Sequence, residues 1–139
     1  MELGTFGAII SFALELESQA YEYYENLNNT VFFQSVSHLL KGSQKRSKRL
    51  RRIRQELVTE MILEPITGVE SDDYLLSVSE ESDESEYLYQ GIRLEENMRN
   101  FYLAMAPLIP MKEVERAFLR LAKENESRME ILENRSVDI

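Results

Sequence analysis

Four segments of this sequence carry apolar residues at alternating steps of three and four positions, and this spacing limits the fold more than any other feature. Because an α-helix makes one turn in about 3.6 residues, residues spaced in this way form one stripe along a helix. Only five glycines and three prolines, which would interrupt helices, occur among 139 residues. The stripes predict four amphipathic helices, at about residues 5–28, 31–61, 83–106 and 111–135. A chain of this length suits one domain, so we expect a single all-α domain over residues 1–139.

The connections between the predicted helices indicate how these helices are arranged. The first two helices meet at residues 28–30, and the last two meet between Pro107 and Pro110, so each pair should form an antiparallel hairpin. Residues 63–83 form a much longer connection, which is typical of a crossover along the length of a bundle. We therefore expect an antiparallel four-helix bundle made of two helical hairpins joined by a long crossover.

The two predicted hairpins resemble each other. Aligning Glu17 with Glu95 places the apolar positions of the first helix on those of the third, and aligning Arg46 with Arg128 does the same for the second and fourth helices. Any two amphipathic helices can be aligned on their stripes, but here the polar residues that interrupt the stripes coincide as well. Duplication of a helical hairpin therefore explains the sequence best.

Charged residues interrupt the four apolar stripes at Glu17, Arg46, Glu95 and Arg128. A charge inside a bundle is costly unless it is paired. Two carboxylates from the first and third helices and two guanidinium groups from the second and fourth would neutralise one another near mid-bundle. A polar residue lies one turn before each arginine and can supply further hydrogen bonds. We therefore expect a buried salt-bridge cluster of six residues: Glu17, Ser43, Arg46, Glu95, Asn125 and Arg128.

The residues around the two glutamates carry a family resemblance. The first helix contains Phe12, Ala13, Glu17, Ser18, Gln19, Ala20 and Tyr24, and the third contains Leu94, Glu95, Glu96, Phe101 and Tyr102. These runs resemble the ligand-bearing helices of the rubrerythrin group of the ferritin-like superfamily, and the resemblance extends over about residues 5–135. It implies a ferritin-like fold. In that family a carboxylate from each of these two helices and a Glu-x-x-His pair from each of the other two bind two irons.

Only part of the family's ligand set is present. Glu17 and Glu95 match the two single carboxylate ligands. The two Glu-x-x-His pairs are replaced by Ser43-x-x-Arg46 and Asn125-x-x-Arg128. The position of a further acidic ligand is occupied by Met98. Since a guanidinium is always charged and cannot ligate a metal, we expect no cofactor, although the resemblance implies a diiron centre. Any residual metal would be held by Glu17 and Glu95. Tyr24 and Tyr102 should turn their hydroxyls toward the cluster.

Cysteine and histidine content excludes other kinds of site. The chain has no cysteine, which excludes disulfides, Cys-ligated zinc, iron–sulfur clusters and thiol catalysis. His38 is the single histidine, so sites that need two imidazoles from one chain are excluded as well. It precedes a residue of the second stripe and should lie on the flank or surface of its helix. Lacking a long apolar run or a signal-like N-terminus, the chain is expected to be cytoplasmic and not membrane-associated.

The charge of the chain is unevenly distributed. A formal net charge of -9 and a pI near 4.7 argue against nucleic-acid binding through the whole surface. A basic run nevertheless covers the outer face of the second helix and includes Lys41, Lys45, Lys48, Arg49 and Arg52. Three interpretations remain open: a solvated face, a dock for the acidic crossover of this or a sister subunit, and a site for a phosphate-rich ligand.

These observations predict a non-catalytic structural or protein-interaction module, expected to form a homo-oligomer because the proteins it resembles commonly associate. One alternative is a divergent metal-dependent oxidoreductase, a peroxidase, an oxidase or an iron-handling protein. It would use Glu17 and Glu95 together with neighbouring acids such as Glu96, Glu124 or Glu126. A second alternative is a protein that binds an anionic partner through the basic second helix.

Overall fold

The computed structural model of the protein describes residues 3–27, 33–61, 70–74 and 84–137. This part of the chain contains four α-helices, which are α1 (Phe6–Leu27), α2 (Phe33–Met61), α3 (Glu84–Met105) and α4 (Lys112–Val137). The prediction of an all-α structure is confirmed for the described residues. The helices begin and end within about two residues of the expected positions, which is the ordinary uncertainty of a helix end.

One connection between helices is described completely and another in part. Ala106–Leu108 forms a short 3-10 helix between α3 and α4, and a second 3-10 helix covers Ser71–Tyr74. The latter was not expected within the long connection. The predicted turn at residues 28–30, and the connection at 63–83 apart from residues 70–74, lie outside the described residues.

Residues 71–74 are held against α3 by two kinds of contact. The ring of Tyr74 packs edge-on against that of Phe101, with 5.2 Å between the ring centroids. The side-chain amide of Asn97 donates a hydrogen bond to the backbone carbonyl of Tyr74. This part of the connection is therefore fixed to the outside of the helices by aromatic packing and a backbone hydrogen bond.

The four helices pack around a common apolar core. Helix α1 packs against α2 and α3, and α4 packs against the same two helices. Aromatic rings join the helices edge-to-face: the centroids of Phe12 and Phe101 are 5.3 Å apart, and those of Tyr102 and Phe118 are 5.1 Å apart. The result is a helical bundle in which the apolar stripes predicted from the sequence face one another.

The inward face of α4 can be tested with two adjacent residues. Phe118 is fully buried, whereas Leu119 is 43% exposed. Because Phe118→Ala removes a buried ring and leaves a cavity, it should lower the free energy of unfolding by about 3–5 kcal/mol in urea denaturation. Leu119→Ala, the matched control, should change it by about 0.5 kcal/mol or less. Equal losses in the two variants would contradict this orientation of α4.

Candidate functional site

Six polar residues meet inside the otherwise apolar core, at the mid-length of the helices. They are Glu17 of α1, Ser43 and Arg46 of α2, Glu95 of α3, and Asn125 and Arg128 of α4. Four of them are fully buried, and the side chains of the two arginines retain only 2% and 8% of their exposure. The structure therefore brings together all six residues that the sequence pattern singled out.

The first half of the cluster is centred on the ion pair between Arg46 and Glu17. Oε1 of Glu17 accepts hydrogen bonds from Nε of Arg46 at 2.9 Å and from the hydroxyl of Tyr102 at 2.8 Å, and it lies 2.8 Å from Nη2 of Arg46 in the ion pair. The Arg46 guanidinium also donates from Nη1 to the backbone carbonyl of Leu121 at 3.0 Å and from Nη2 to Oδ1 of Asn125 at 2.9 Å. One arginine thus links side chains or backbone from all four helices.

The second half repeats this arrangement around Arg128 and Glu95. Nε of Arg128 donates to Oε1 of Glu95 at 2.8 Å, and the hydroxyl of Tyr24 donates to Oε2 of the same carboxylate at 2.5 Å. Nη1 of Arg128 donates to the carbonyl of Leu39 at 3.1 Å, and Nη2 donates to Oγ of Ser43 at 2.7 Å. This arginine also contacts all four helices.

Each buried guanidinium also lies against the ring of a tyrosine. The Cζ atom of Arg46 is 5.5 Å from the ring centroid of Tyr102, and that of Arg128 is 5.6 Å from the ring centroid of Tyr24. Both distances are within the range of a cation–π interaction. Each tyrosine therefore acts twice, since its hydroxyl donates to a carboxylate while its ring faces the partner cation.

The two halves differ at the polar residue one turn before each arginine. Nδ2 of Asn125 donates to Oε1 of Glu95 at 2.8 Å. Ser43 stands in the corresponding place on α2, and its shorter side chain interacts with Arg128. Oε2 of Glu17 is consequently buried without a hydrogen-bond partner among the described residues. Such an oxygen keeps the cost of its desolvation, so the carboxylate of Glu17 is less well satisfied than that of Glu95.

Burial and charge act in opposite directions on these groups. Burial would raise the pKa of Glu95, but the charge and hydrogen bonds of Arg128 outweigh it and lower that pKa below its ordinary value. Burial would lower the pKa of both Arg46 and Arg128, but the facing carboxylates raise it instead. Burial and the adjacent carboxylates raise the pKa of Tyr24 and Tyr102. At neutral pH both arginines and Glu95 are charged, and both tyrosines are neutral donors.

Two divalent metal ions do not fit this set of side chains. A guanidinium nitrogen lies 2.8 Å from a carboxylate oxygen of Glu17 and another lies 2.8 Å from one of Glu95. The guanidinium groups are cationic and have no lone pair for a metal, so they would repel iron from the space between the glutamates. Within the described ranges, no group of three or more His, Cys, Asp or Glu side chains is placed to hold a metal ion.

The other acidic residues considered as metal ligands lie toward the surface. Glu96 and Glu126 are exposed. Glu124 lies at the edge of the cluster, where its carboxylate accepts from Nη1 of Arg46 at 3.4 Å and from Nη1 of Arg49 at 3.1 Å. Glu124 therefore pairs with the arginines and extends the salt-bridge cluster outward.

The remaining predicted positions are divided between core and surface. Met98 is buried, and His38 is exposed. Of the basic face of α2, Arg49 is half-buried, and four cations are exposed: Lys41, Lys45, Lys48 and Arg52. Most of the acidic residues of the 63–83 connection, one possible partner for this face, lie outside the described residues.

Two backbone carbonyls complete the cluster, and the sequence pattern does not identify them. They belong to Leu39 and Leu121, and each accepts a hydrogen bond from the arginine of the opposite helix. An arginine has five N–H groups, which is more than one carboxylate and one polar neighbour usually satisfy. That count signals further acceptors, but the choice of carbonyl depends on how the helices are rotated against each other.

Comparisons of the chain with models of protein families, with curated proteins and with solved structures find no match. In the part of the chain that the structure describes, no helix is long and apolar enough to cross a membrane. The function is therefore inferred from the geometry of the cluster and of the surfaces around it.

The buried ion pairs predict a large effect of removing one partner. Arg46→Ala should lower the free energy of unfolding by about 3–5 kcal/mol, because Glu17 would remain buried without its cation. Arg54→Ala, which removes an exposed arginine of the same helix, should change it by about 0.5 kcal/mol or less. Urea denaturation measures both. Combining Arg46→Met with Glu17→Gln should recover much of the loss, and a harmless Arg46→Ala would mean that the cluster is hydrated.

The lowered pKa of Glu95 predicts a loss of stability in acid. The carboxylate of Glu95 binds a proton more readily in the unfolded chain than in the native protein. Its contribution to the free energy of unfolding is therefore complete above the ordinary pKa of 4.5 and is lost as the pH falls through the native pKa. Denaturation midpoints measured against pH should show this decline. The slope of the denaturation midpoint against pH should be smaller in Glu95→Gln. It should be unchanged in Glu96→Gln, which alters an exposed residue. An identical acid slope in Glu95→Gln would contradict the assignment.

Proposed function

We propose that this chain is a ferritin-like bundle of the rubrerythrin type that has lost diiron binding and acts as a non-catalytic structural or protein-interaction module. One observation carries the proposal. Arg46 forms an ion pair with Glu17, and Arg128 forms one with Glu95. In the proposed relationship the arginines correspond to the family's histidine ligands and the glutamates to its single carboxylate ligands. In this proposal the two cations take over the charge balance that metals would otherwise provide.

The order of contacts between α1 and α3 supports an antiparallel arrangement. Phe12 of α1 contacts Phe101, while Tyr24, further along α1, contacts Glu95, which comes earlier in α3. Residue numbers thus rise along one helix while those of their partners fall along the other. This order is what a ferritin-like bundle requires of its first and third helices.

Helices α2 and α4 support the same arrangement. The carbonyl of Leu39 contacts Arg128, whereas Arg49, further along α2, contacts Glu124, which comes earlier in α4. If α2 and α3 are both antiparallel to α1, they are parallel to each other, and a connection between them has to run the length of the bundle. The length of the 63–83 segment is consistent with such a crossover.

Reciprocal hydrogen bonds support the duplication of one helical hairpin. Tyr24 of α1 donates to Glu95 of α3, and Tyr102 of α3 donates to Glu17 of α1. The arginines of α2 and α4 are matched in the same way, since each donates to a leucine carbonyl of the other helix. A two-fold arrangement of this kind follows naturally when two copies of one hairpin pack together.

Exposed apolar side chains are candidates for contact with a protein partner. Among the described residues, Tyr89, Leu103, Leu108 and Leu119 are large, apolar and more than two-fifths exposed, with values from 41% to 62%. Burial of such side chains against a second copy or another protein would be favourable. They support the interaction role in the proposal, and the pairing of both core carboxylates with arginines supports its non-catalytic character.

One observation favours the competing function of a divergent metal-dependent oxidoreductase. Oε2 of Glu17 is buried and has no hydrogen-bond partner in the described part of the chain, and a carboxylate oxygen in that state would gain from a cation. A metal at this oxygen would still share its carboxylate with Arg46. The two functions differ in a measurable quantity, which is the number of metal ions bound per chain.

Metal analysis separates these functions. Protein purified from cells grown with iron and manganese should contain well under one ion per chain and should not consume peroxide, because the guanidinium groups exclude cations from the cluster. Two stoichiometric ions, or peroxide consumption that is lost in Glu17→Ala, would overturn the proposal.

A restored ligand set provides the matched test of the ferritin-like assignment. Ser43→Glu with Arg46→His, combined with Asn125→Glu and Arg128→His, recreates a Glu-x-x-His pair on α2 and on α4. The combined variant should bind two divalent ions per chain, while either half alone should bind fewer. A folded combined variant that binds none would contradict the placement of Glu17 and Glu95 as former ligands.

A further inference from the structure

A cleft of about 230 Å³ lies between α2 and α4, beside the salt-bridge cluster. Gly42, Lys45 and Arg49 line it from α2, and Ser127 and Arg128 line it from α4. One water molecule needs only about 10–15 Å³, so the cleft has room for a small ion together with water. Its charged lining consists of four cations, Lys45, Arg46, Arg49 and Arg128, and one carboxylate, that of Glu124, which is paired with Arg46 and Arg49.

The inner wall of the cleft contains hydrogen-bond donors that are not used. Of the five N–H groups of Arg128, one on each nitrogen is engaged, by Glu95, by the carbonyl of Leu39 and by Ser43. A second N–H on Nη1 and a second N–H on Nη2 therefore have no acceptor among the described residues. Arg128 is only 7% exposed, so little bulk water reaches these donors. Buried donors without an acceptor are costly.

Arg46, the counterpart of Arg128, has an acceptor in this place. Its Nη1 donates to the carbonyl of Leu121 and also lies 3.4 Å from Oε1 of Glu124. The carboxylate of Glu124 is held in turn by Arg49, with 3.1 Å between Nη1 and Oε1. A carboxylate thus completes the hydrogen bonding of the first buried guanidinium.

The corresponding side chain is missing beside Arg128. Gly42 directly precedes Ser43 just as Glu124 directly precedes Asn125, so a glycine stands where the other half of the cluster has a carboxylate. A Cβ atom added to Gly42 would lie 2.6 Å from Nη1 of Arg128. The guanidinium therefore occupies the space of a side chain at this position, and its free N–H groups border the cleft.

We propose that this cleft binds a small oxyanion, a carboxylate or phosphate group whose oxygens accept the two unused N–H groups of Arg128. The anion would accept hydrogen bonds from Arg128 as the carboxylate of Glu124 accepts one from Arg46. Lys45 adds a positive charge at the exposed rim and forms no ion pair among the described residues. Arg128 itself is balanced by Glu95, so Lys45 supplies the charge that an incoming anion neutralises. The site does not depend on any past metal binding by the bundle.

Titration of the full-length, nitrogen-15-labelled protein by NMR tests this site. Sodium phosphate and sodium acetate are added separately at constant ionic strength, with sodium chloride as the reference. We expect saturable shifts of the Gly42 amide and of the Arg128 Nε resonance, together with a rise in melting temperature that grows with anion concentration. The anion that saturates at lower concentration identifies a phosphate or a carboxylate as the preferred group.

Three variants locate the binding. Gly42→Glu places a side chain where the guanidinium of Arg128 lies, so it should displace that group and abolish the saturable shifts. Lys45→Gln should weaken the apparent affinity about two- to five-fold through loss of a rim charge, and its exposed position leaves folding unaffected. Lys123→Gln makes the same charge change on α4 outside the cleft and should leave the affinity unchanged.

The same measurements can overturn the proposal. An equal saturable response to chloride would show that the cleft does not select oxyanions. Shifts spread evenly along residues 41–54, or an equal effect of Lys45→Gln and Lys123→Gln, would show general attraction to the basic face instead of a site. Unchanged titration of folded Gly42→Glu would exclude the role assigned to Arg128.

Discussion

Two buried ion pairs, Glu17–Arg46 and Glu95–Arg128, connect the four helices at the centre of the bundle. Removing two charges from water costs several kcal/mol per ion, and the attraction between them compensates only when the geometry is good and the other donors are satisfied. The surrounding residues meet part of that requirement, with a tyrosine hydroxyl on each carboxylate and a backbone carbonyl on each guanidinium. The effect of the ion pairs on the choice of helix packing is therefore larger than their effect on the stability of the fold.

This effect on helix packing follows from the number of helices that each arginine contacts. Arg46 lies on α2 and reaches a carboxylate of α1, a tyrosine ring of α3 and both a carbonyl and an amide of α4. A shift of any helix by one turn would leave a buried charge or a buried donor without its partner, at a cost comparable to much of the stability of a small domain. Apolar stripes alone tolerate such shifts far better, because dispersion contacts are not directional.

The differences between the two halves of the cluster are as informative as their similarity. Where both halves have a polar side chain, as with the paired tyrosines, the hydrogen bonding is closed. Where one half has a smaller residue, polar groups have no partner within the described ranges: Oε2 of Glu17 in the half with Ser43, and two N–H groups of Arg128 beside Gly42. Oε2 of Glu17 is buried, whereas the guanidinium of Arg128 borders a cleft. Ligand chemistry in this protein is therefore expected at the Arg128 side, where an anion can enter.

The sequence by itself determined the four helices and the six polar residues of their shared core. Helical periodicity assigns Glu17 or Arg128 to an apolar stripe without reference to the rest of the chain, and the cost of an unpaired buried charge then requires partners. Only the tertiary structure decided that Arg46 pairs with Glu17 and which backbone carbonyls complete the cluster. It also decided that Tyr74, in a 3-10 helix, packs against Phe101 and that Gly42 borders a cleft. These features depend on the rotation of each helix and on side-chain conformations, which are set by packing between distant segments and leave no periodic trace in the sequence.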